Sequence, residues 1–107
     1  MRSLVRPFLL PAALLLVAAV RIPNPTGFTA VQGKDRNVHL SWRPVPRASG
    51  YLLMGPGLPK TGVNVMGLEF DVTKVPPGPR RWIIGTVSVE GRTGPRKEFT
   101  AVDLVVK

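Results

Sequence analysis

The stretch Asn37-Val38-His39-Leu40-Ser41-Trp42-Arg43 decides the fold. Val38, Leu40 and Trp42 alternate with Asn37, His39, Ser41 and Arg43. In an extended chain successive side chains point to opposite faces, so one face of this segment is apolar and the other polar. That pattern is a half-buried strand. Further on, Leu68, Phe70 and Val72 alternate with Glu69, Asp71 and Thr73 in the same way. Two such one-sided strands bury their apolar faces by packing against a second sheet.

Outward from these two segments, the chain from Asn24 onward keeps a period near two. Its 12 prolines and 11 glycines interrupt the apolar runs at roughly ten-residue intervals. The runs predict seven strands: Thr26 to Gln32, Asn37 to Arg43, Gly50 to Gly55, Pro59 to Asn64, Gly67 to Lys74, Arg80 to Glu90 and Lys97 to Val106. Pro44, Pro46 and Gly50 bracket one turn. Val75-Pro76-Pro77-Gly78-Pro79 is too rich in proline for strand or helix, and Gly91-Arg92-Thr93-Gly94-Pro95 reads as a hairpin loop. The class is all-β. No internal repeat or low-complexity segment is present.

The chain resembles the fibronectin type III family on particular residues. These are Pro25 with Gly27, Phe28 and Ala30; Val38-His39-Leu40-Ser41-Trp42; Ala48-Ser49-Gly50-Tyr51; Phe70-Asp71-Val72; the following proline and glycine turn; and the strand starting near Trp82. The resemblance covers residues 23 to 106. It implies a seven-stranded antiparallel Greek-key sandwich with the first, second and fifth strands in one sheet and the other four in the second. Trp42 then belongs to the core. Where the family usually has a tyrosine bonded back to the preceding turn, this chain has Trp82, whose indole N–H could donate to a backbone carbonyl there. The family's integrin motif is absent from the last loop, which reads Gly91-Arg92-Thr93-Gly94, and the resemblance offers no catalytic residue.

Residues 1 to 19 read as an address. Arg2 and Arg6 precede an unbroken apolar run from Phe8 to Val20, and Val17, Ala18 and Ala19 supply the small residues a signal peptidase needs. Cleavage is expected after Ala19, giving a secreted, periplasmic or cell-envelope domain of residues 20 to 107. The alternative is an uncleaved N-terminal anchor. The run stops at Arg21, short of the ~20 apolar residues that a span requires.

Chemistry finds little to work with. There is no cysteine, which excludes thiolate nucleophiles, thiolate metal sites and a disulfide-linked partner. The single histidine, His39, is expected on the outer sheet face without a metal role. Glu69 and Asp71 share a strand face and are expected to solvate it or to pair with nearby lysines. No glycine-flanked serine elbow and no phosphate loop occurs. The expectation is therefore no enzyme, no cofactor and no metal.

The formal net charge is +9; without Arg2 and Arg6, 13 basic residues face 6 acidic ones, leaving +7. That excess allows an acidic polysaccharide, an anionic membrane surface or another polyanion as a partner. Nucleic acid is disfavoured because the aromatics fit core positions rather than a stacking surface. The charges do not concentrate: Arg43, Arg47, Arg92, Arg96 and Lys97 should lie toward one end of the sandwich and Lys34, Arg36, Lys60, Lys74, Arg80 and Arg81 toward the other, a dispersal that suits solubility or weak adhesion. The leading expectation is an exported, non-catalytic binding or structural module. It would contact a protein or surface partner through loops Pro44 to Ser49, Gly62 to Met66 and Gly91 to Pro95, with Arg43, Arg47, Arg92, Arg96 and Lys97 as candidate contacts.

Overall fold

A computed structural model describes residues 22–107; the expected signal segment and its cleavage point lie outside the described residues. Seven strands form, β1 (Thr29–Gln32), β2 (Val38–Ser41), β3 (Gly50–Met54), β4 (Val63–Val65), β5 (Glu69–Val72), β6 (Gly78–Val87) and β7 (Thr100–Val106). They make a three-stranded sheet ordered β1-β2-β5 and a four-stranded sheet ordered β4-β3-β6-β7, with every pairing antiparallel. The expected partition of strands between sheets is the observed one.

The alternation in β2 does what its period requires. Val38, Leu40 and Trp42 are buried while His39 is exposed. Across the interior they meet Tyr51, Leu53, Trp82 and Ile84 from the four-stranded sheet. Trp42 sits edge-on between two rings, with centroids 6.1 Å from Phe28 and 5.7 Å from Tyr51. Such edge-to-face pairs add about 0.5–1.5 kcal/mol beyond burial. Its indole nitrogen, however, is buried without a hydrogen-bond partner among the described residues. Tyr51 fares better, because its hydroxyl accepts from the Val45 N–H at 2.9 Å and so ties the β2–β3 loop to the core.

Several expected boundaries move, each for a local reason. β1 starts at Thr29 rather than Thr26, because the chain turns at Gly27 in left-handed geometry. β4 is Val63–Val65 rather than Pro59 to Asn64. Two turns occupy the stretch before it, closed by Leu58 N–H to Gly55 O and Gly62 N–H to Pro59 O. β6 begins two residues early at Gly78 and ends at Val87 rather than Glu90. Pro79 is tolerated because it faces Val105, in a pair that exchanges no hydrogen bonds. β7 begins at Thr100 because Arg96–Glu98 form a 3-10 turn. Leu68 lies before β5 and is exposed, and Phe70 is only half-buried, so Val72 alone of the three expected inward residues is fully buried.

Trp82 is fully buried and its indole N–H donates to Pro56 O at 3.0 Å. The acceptor lies in the β3–β4 loop, not in the turn preceding the tryptophan. Gly55 explains the reach: it adopts a φ of 147°, and a side chain there would strike the indole ring.

Candidate functional site

The registers bring four chain segments to one end of the sandwich. Gly50 pairs with Val87, Ile84 with Thr100 and Ser41 with Glu69, so the β2–β3, β6–β7 and β4–β5 loops all emerge there. The chain entering β1 joins them. Thr86 donates its hydroxyl to Pro23 O at 2.7 Å and its N–H to Asn24 Oδ1 at 3.1 Å. Asn24 in turn donates to the Glu98 carbonyl at 2.7 Å. Ser49 fastens the β2–β3 loop to the other side, donating its hydroxyl to Ser88 O at 2.7 Å and its N–H to Val87 O at 2.9 Å.

Between these segments lies a groove of about 650 Å³. Arg47 and Arg92 line it together with Glu90 and Glu98, and Ile22 and Val89 give it apolar wall. Val89 is 76% exposed, and Met66, in the β4–β5 loop at the same end, is 84% exposed. Arg92 is positioned by a tight turn in which Ser88 N–H donates to Arg92 O and Gly91 N–H to Ser88 O, both at 2.9 Å.

Arg47 is held in the left-handed region at φ 67°, which costs a residue with a side chain about 1–2 kcal/mol. Asp35, Arg36 and Lys74 at the opposite end share that geometry, so strain marks Arg47 only in conjunction with the groove. Among the described residues neither the Arg47 nor the Arg92 guanidinium has a hydrogen-bond or ion-pair partner. Both are free to receive one.

Of the five expected contact residues, the groove thus gathers Arg47 and Arg92. Arg43 is exposed at the same end, but its stem lies over Gly27, where a Cβ would come within 3.0 Å of it. Arg96 and Lys97 are exposed on the 3-10 turn and do not line the groove. The expected loop Gly62 to Met66 is corrected: Val63–Val65 is strand β4, Gly62 belongs to the opposite end, and only Met66 reaches the groove end. Glu90 and Glu98 carry no sequence signal as groove residues, because they continue the expected strands and leave them only where β6 ends at Val87 and β7 begins at Thr100.

The acid pair also departs from expectation. On the outer face of the three-stranded sheet, His39 Nδ1 lies 2.6 Å from Asp71 Oδ1 and its Nε2 lies 2.8 Å from Glu69 Oε1. The carboxylates pair with the histidine rather than with lysines. The hydrogen bond and charge of Asp71, with Glu69 behind it, raise the His39 pKa above its ordinary value. The cluster is half-exposed on an open face, and among the described residues no group of His, Asp and Glu side chains is arranged to hold a metal ion.

No family model and no curated protein matches the chain. Solved structures do. FN3tt, a fibronectin type III domain design, aligns with a TM-score of 0.62 at 20% sequence identity, covering 80% of this chain and 96% of that one. A mutant form of FN3tt aligns with a TM-score of 0.62 at 21% identity, covering 79% and 97%. The spore cortex lytic enzyme SleM of Clostridium perfringens aligns with a TM-score of 0.64 at 17% identity over 83% of this chain but 30% of its own. At these identities the likeness is one of architecture and carries no activity with it. The chain folds as a fibronectin type III-like β-sandwich.

Proposed function

We propose that this chain is an exported, non-catalytic binding module whose groove at the β2–β3 and β6–β7 loop end takes a segment of a protein or cell-surface partner. One observation carries the reading: Arg47 and Arg92, on different loops, meet over a single groove with no partner of their own among the described residues. An arginine side chain offers five N–H donors in a planar fork, so two of them flanking a concavity supply orientation and specificity. The apolar walls supply burial. Glu90 and Glu98 in the same lining make the groove bipolar, which suits a polypeptide carrying both charges and apolar side chains.

A polyanion remains the second reading because of the overall charge of +9, or +7 without Arg2 and Arg6. Opposing acids within the groove weigh against it there, and the remaining cations are spread over the surface. The two readings separate experimentally. A photo-crosslinking side chain placed at Thr93 in the exporting cell should trap a partner that the same group at Lys60, at the opposite end, does not. Arg47→Ala together with Arg92→Ala should abolish the product. Trapping of the same species from both positions, undiminished in the double variant, would remove the groove as the site.

A further inference from the structure

The four-stranded sheet ends in β7, and this edge is unlike the others. β1, β4 and β5 expose edges of only three or four residues, and β5 carries Glu69 and Asp71. Short edges and edge charges are the usual guards against pairing with another chain. β7 runs for seven residues, contains neither proline nor lysine, and has one charge, Asp103. That charge is cancelled: Arg81 Nε donates to Asp103 Oδ1 at 2.6 Å and a terminal guanidinium nitrogen to Oδ2 at 3.0 Å.

Two separate observations fix which backbone groups of β7 point outward. Lys107 gives its N–H to Gln32 Oε1 at 3.0 Å and accepts from Gln32 Nε2 at 3.1 Å, so both its backbone groups face away from β6. Backbone direction alternates along a strand, hence Val105, Asp103 and Ala101 face the same way. Independently, Val105 lies opposite Pro79, which has no N–H to exchange, so the Val105 pair cannot be a hydrogen-bonded one. Ala101, Asp103 and Val105 therefore present their N–H and C=O groups to the open edge. Among the described residues none of these groups has a partner. β1 and its entry run beside this edge without forming a backbone ladder with it, tied to its ends by Gln32 on Lys107 and by the Thr100 hydroxyl on Pro25 O, so a second strand must enter between them and solvent.

We propose that this edge self-associates, with β7 of one copy pairing antiparallel to β7 of a second about a two-fold axis at Asp103. The register is self-complementary: Ala101 meets Val105 of the second copy, Asp103 meets Asp103, and three residues a side give six hydrogen bonds. The outer side chains agree, since Ala101 and Val105 are both exposed and apolar, Val105 at 60%. At the axis two carboxylates meet, each already held by its own Arg81, so the four charges sum to zero. The result is one continuous eight-stranded sheet. A single strand pair is a small interface, so the dimer forms at concentrations on the order of 0.1–1 mM. Because each copy is strongly basic, salt strengthens it, opposite to a charge-driven contact at the groove.

Amide hydrogen exchange on the chain as isolated from its cells tests this directly. Between about 20 μM and about 2 mM the Ala101, Asp103 and Val105 amides should slow several-fold, while those of Val102 and Leu104 stay unchanged. Val105→Pro deletes one outward donor and no internal bond, and Val105→Lys adds a charge at the edge while keeping every backbone group. Both should hold sedimentation at monomer mass, and the second serves if the first disturbs folding. Exchange at these three amides that is independent of concentration, or dimers of equal strength in both variants, would overturn the proposal.

Discussion

Replacing Arg47 by glycine should stabilise the domain while weakening whatever the groove holds. Arg47 is exposed at the tip of the β2–β3 loop with φ 67°, where the Cβ of an L-residue costs about 1–2 kcal/mol. Glycine removes that cost but adds disorder to the unfolded chain, worth about 0.4–1 kcal/mol in the opposite direction. The balance is a gain of about 0.5–1 kcal/mol. For a domain of this size it raises Tm by roughly 2–8 °C. Arg47→Ala is the control, because alanine keeps the Cβ and should stay within about 0.5 kcal/mol of the parent. Both variants lose the guanidinium and should lose the crosslinked partner equally. Lys74→Gly, at φ 53° on the opposite end, should gain similar stability and keep the partner. Urea titration monitored by tryptophan fluorescence measures all four proteins. If Arg47→Gly proves no more stable than Arg47→Ala, the loop stores no strain at that residue, and strain drops out of the case for the groove.

Tyr51→Phe should cost about 1–2 kcal/mol in urea unfolding, because it leaves the Val45 N–H buried without its acceptor; a loss under a few tenths would mean water replaces the hydroxyl. Trp42→Phe keeps a ring in the core and removes an unpartnered buried donor, so it should cost no more than about 1–2 kcal/mol, and a loss near the ~3–5 kcal/mol of truncation to alanine would show that the donor is satisfied. Gly85→Ala should destabilise by about 1–3 kcal/mol, because a Cβ there would enter the Phe99 ring, and thermal unfolding unchanged from the parent would show that the ring can step aside. The raised His39 pKa means that folding strengthens proton binding there. The stability it contributes is complete below pH 6.5, the ordinary histidine value, and fades as pH rises through the folded value. The solvent-exposed setting keeps the effect well under ~1 kcal/mol, and His39→Gln should flatten it in a pH series of melts.

The parts of the fold legible in the sequence were those where one face is dry. Val38, Leu40 and Trp42 could be assigned inward without seeing a neighbour, since period-two alternation and burial are the same constraint expressed twice. Strand ends were not legible, because an extended backbone continues beyond its ladder. Trp42 and Arg43 still bond across, to Leu68 O at 3.1 Å and Thr26 O at 3.0 Å, although β2 has ended. In the same way Glu90 and Lys97 look like strand residues until the Ser88–Arg92 turn and the 3-10 turn at Arg96 are in place.

The groove divides along the same line. Arg47 and Arg92 could be selected because loops at one end of a Greek key converge whatever their sequences, so topology alone brings them near each other. Which acids accompany them depends on where each strand stops, and that is decided by turn hydrogen bonds between residues far apart in kind and not marked by any pattern. The consequence bears on recognition. A groove predicted from the arginines alone is cationic and invites a polyanion, whereas the folded groove adds Glu90 and Glu98 and invites a chain bearing both signs. The choice between the two partner classes therefore rests on three residues of strand length at each side of one loop, which is why the Thr93 crosslink carries more weight than any measurement of total charge.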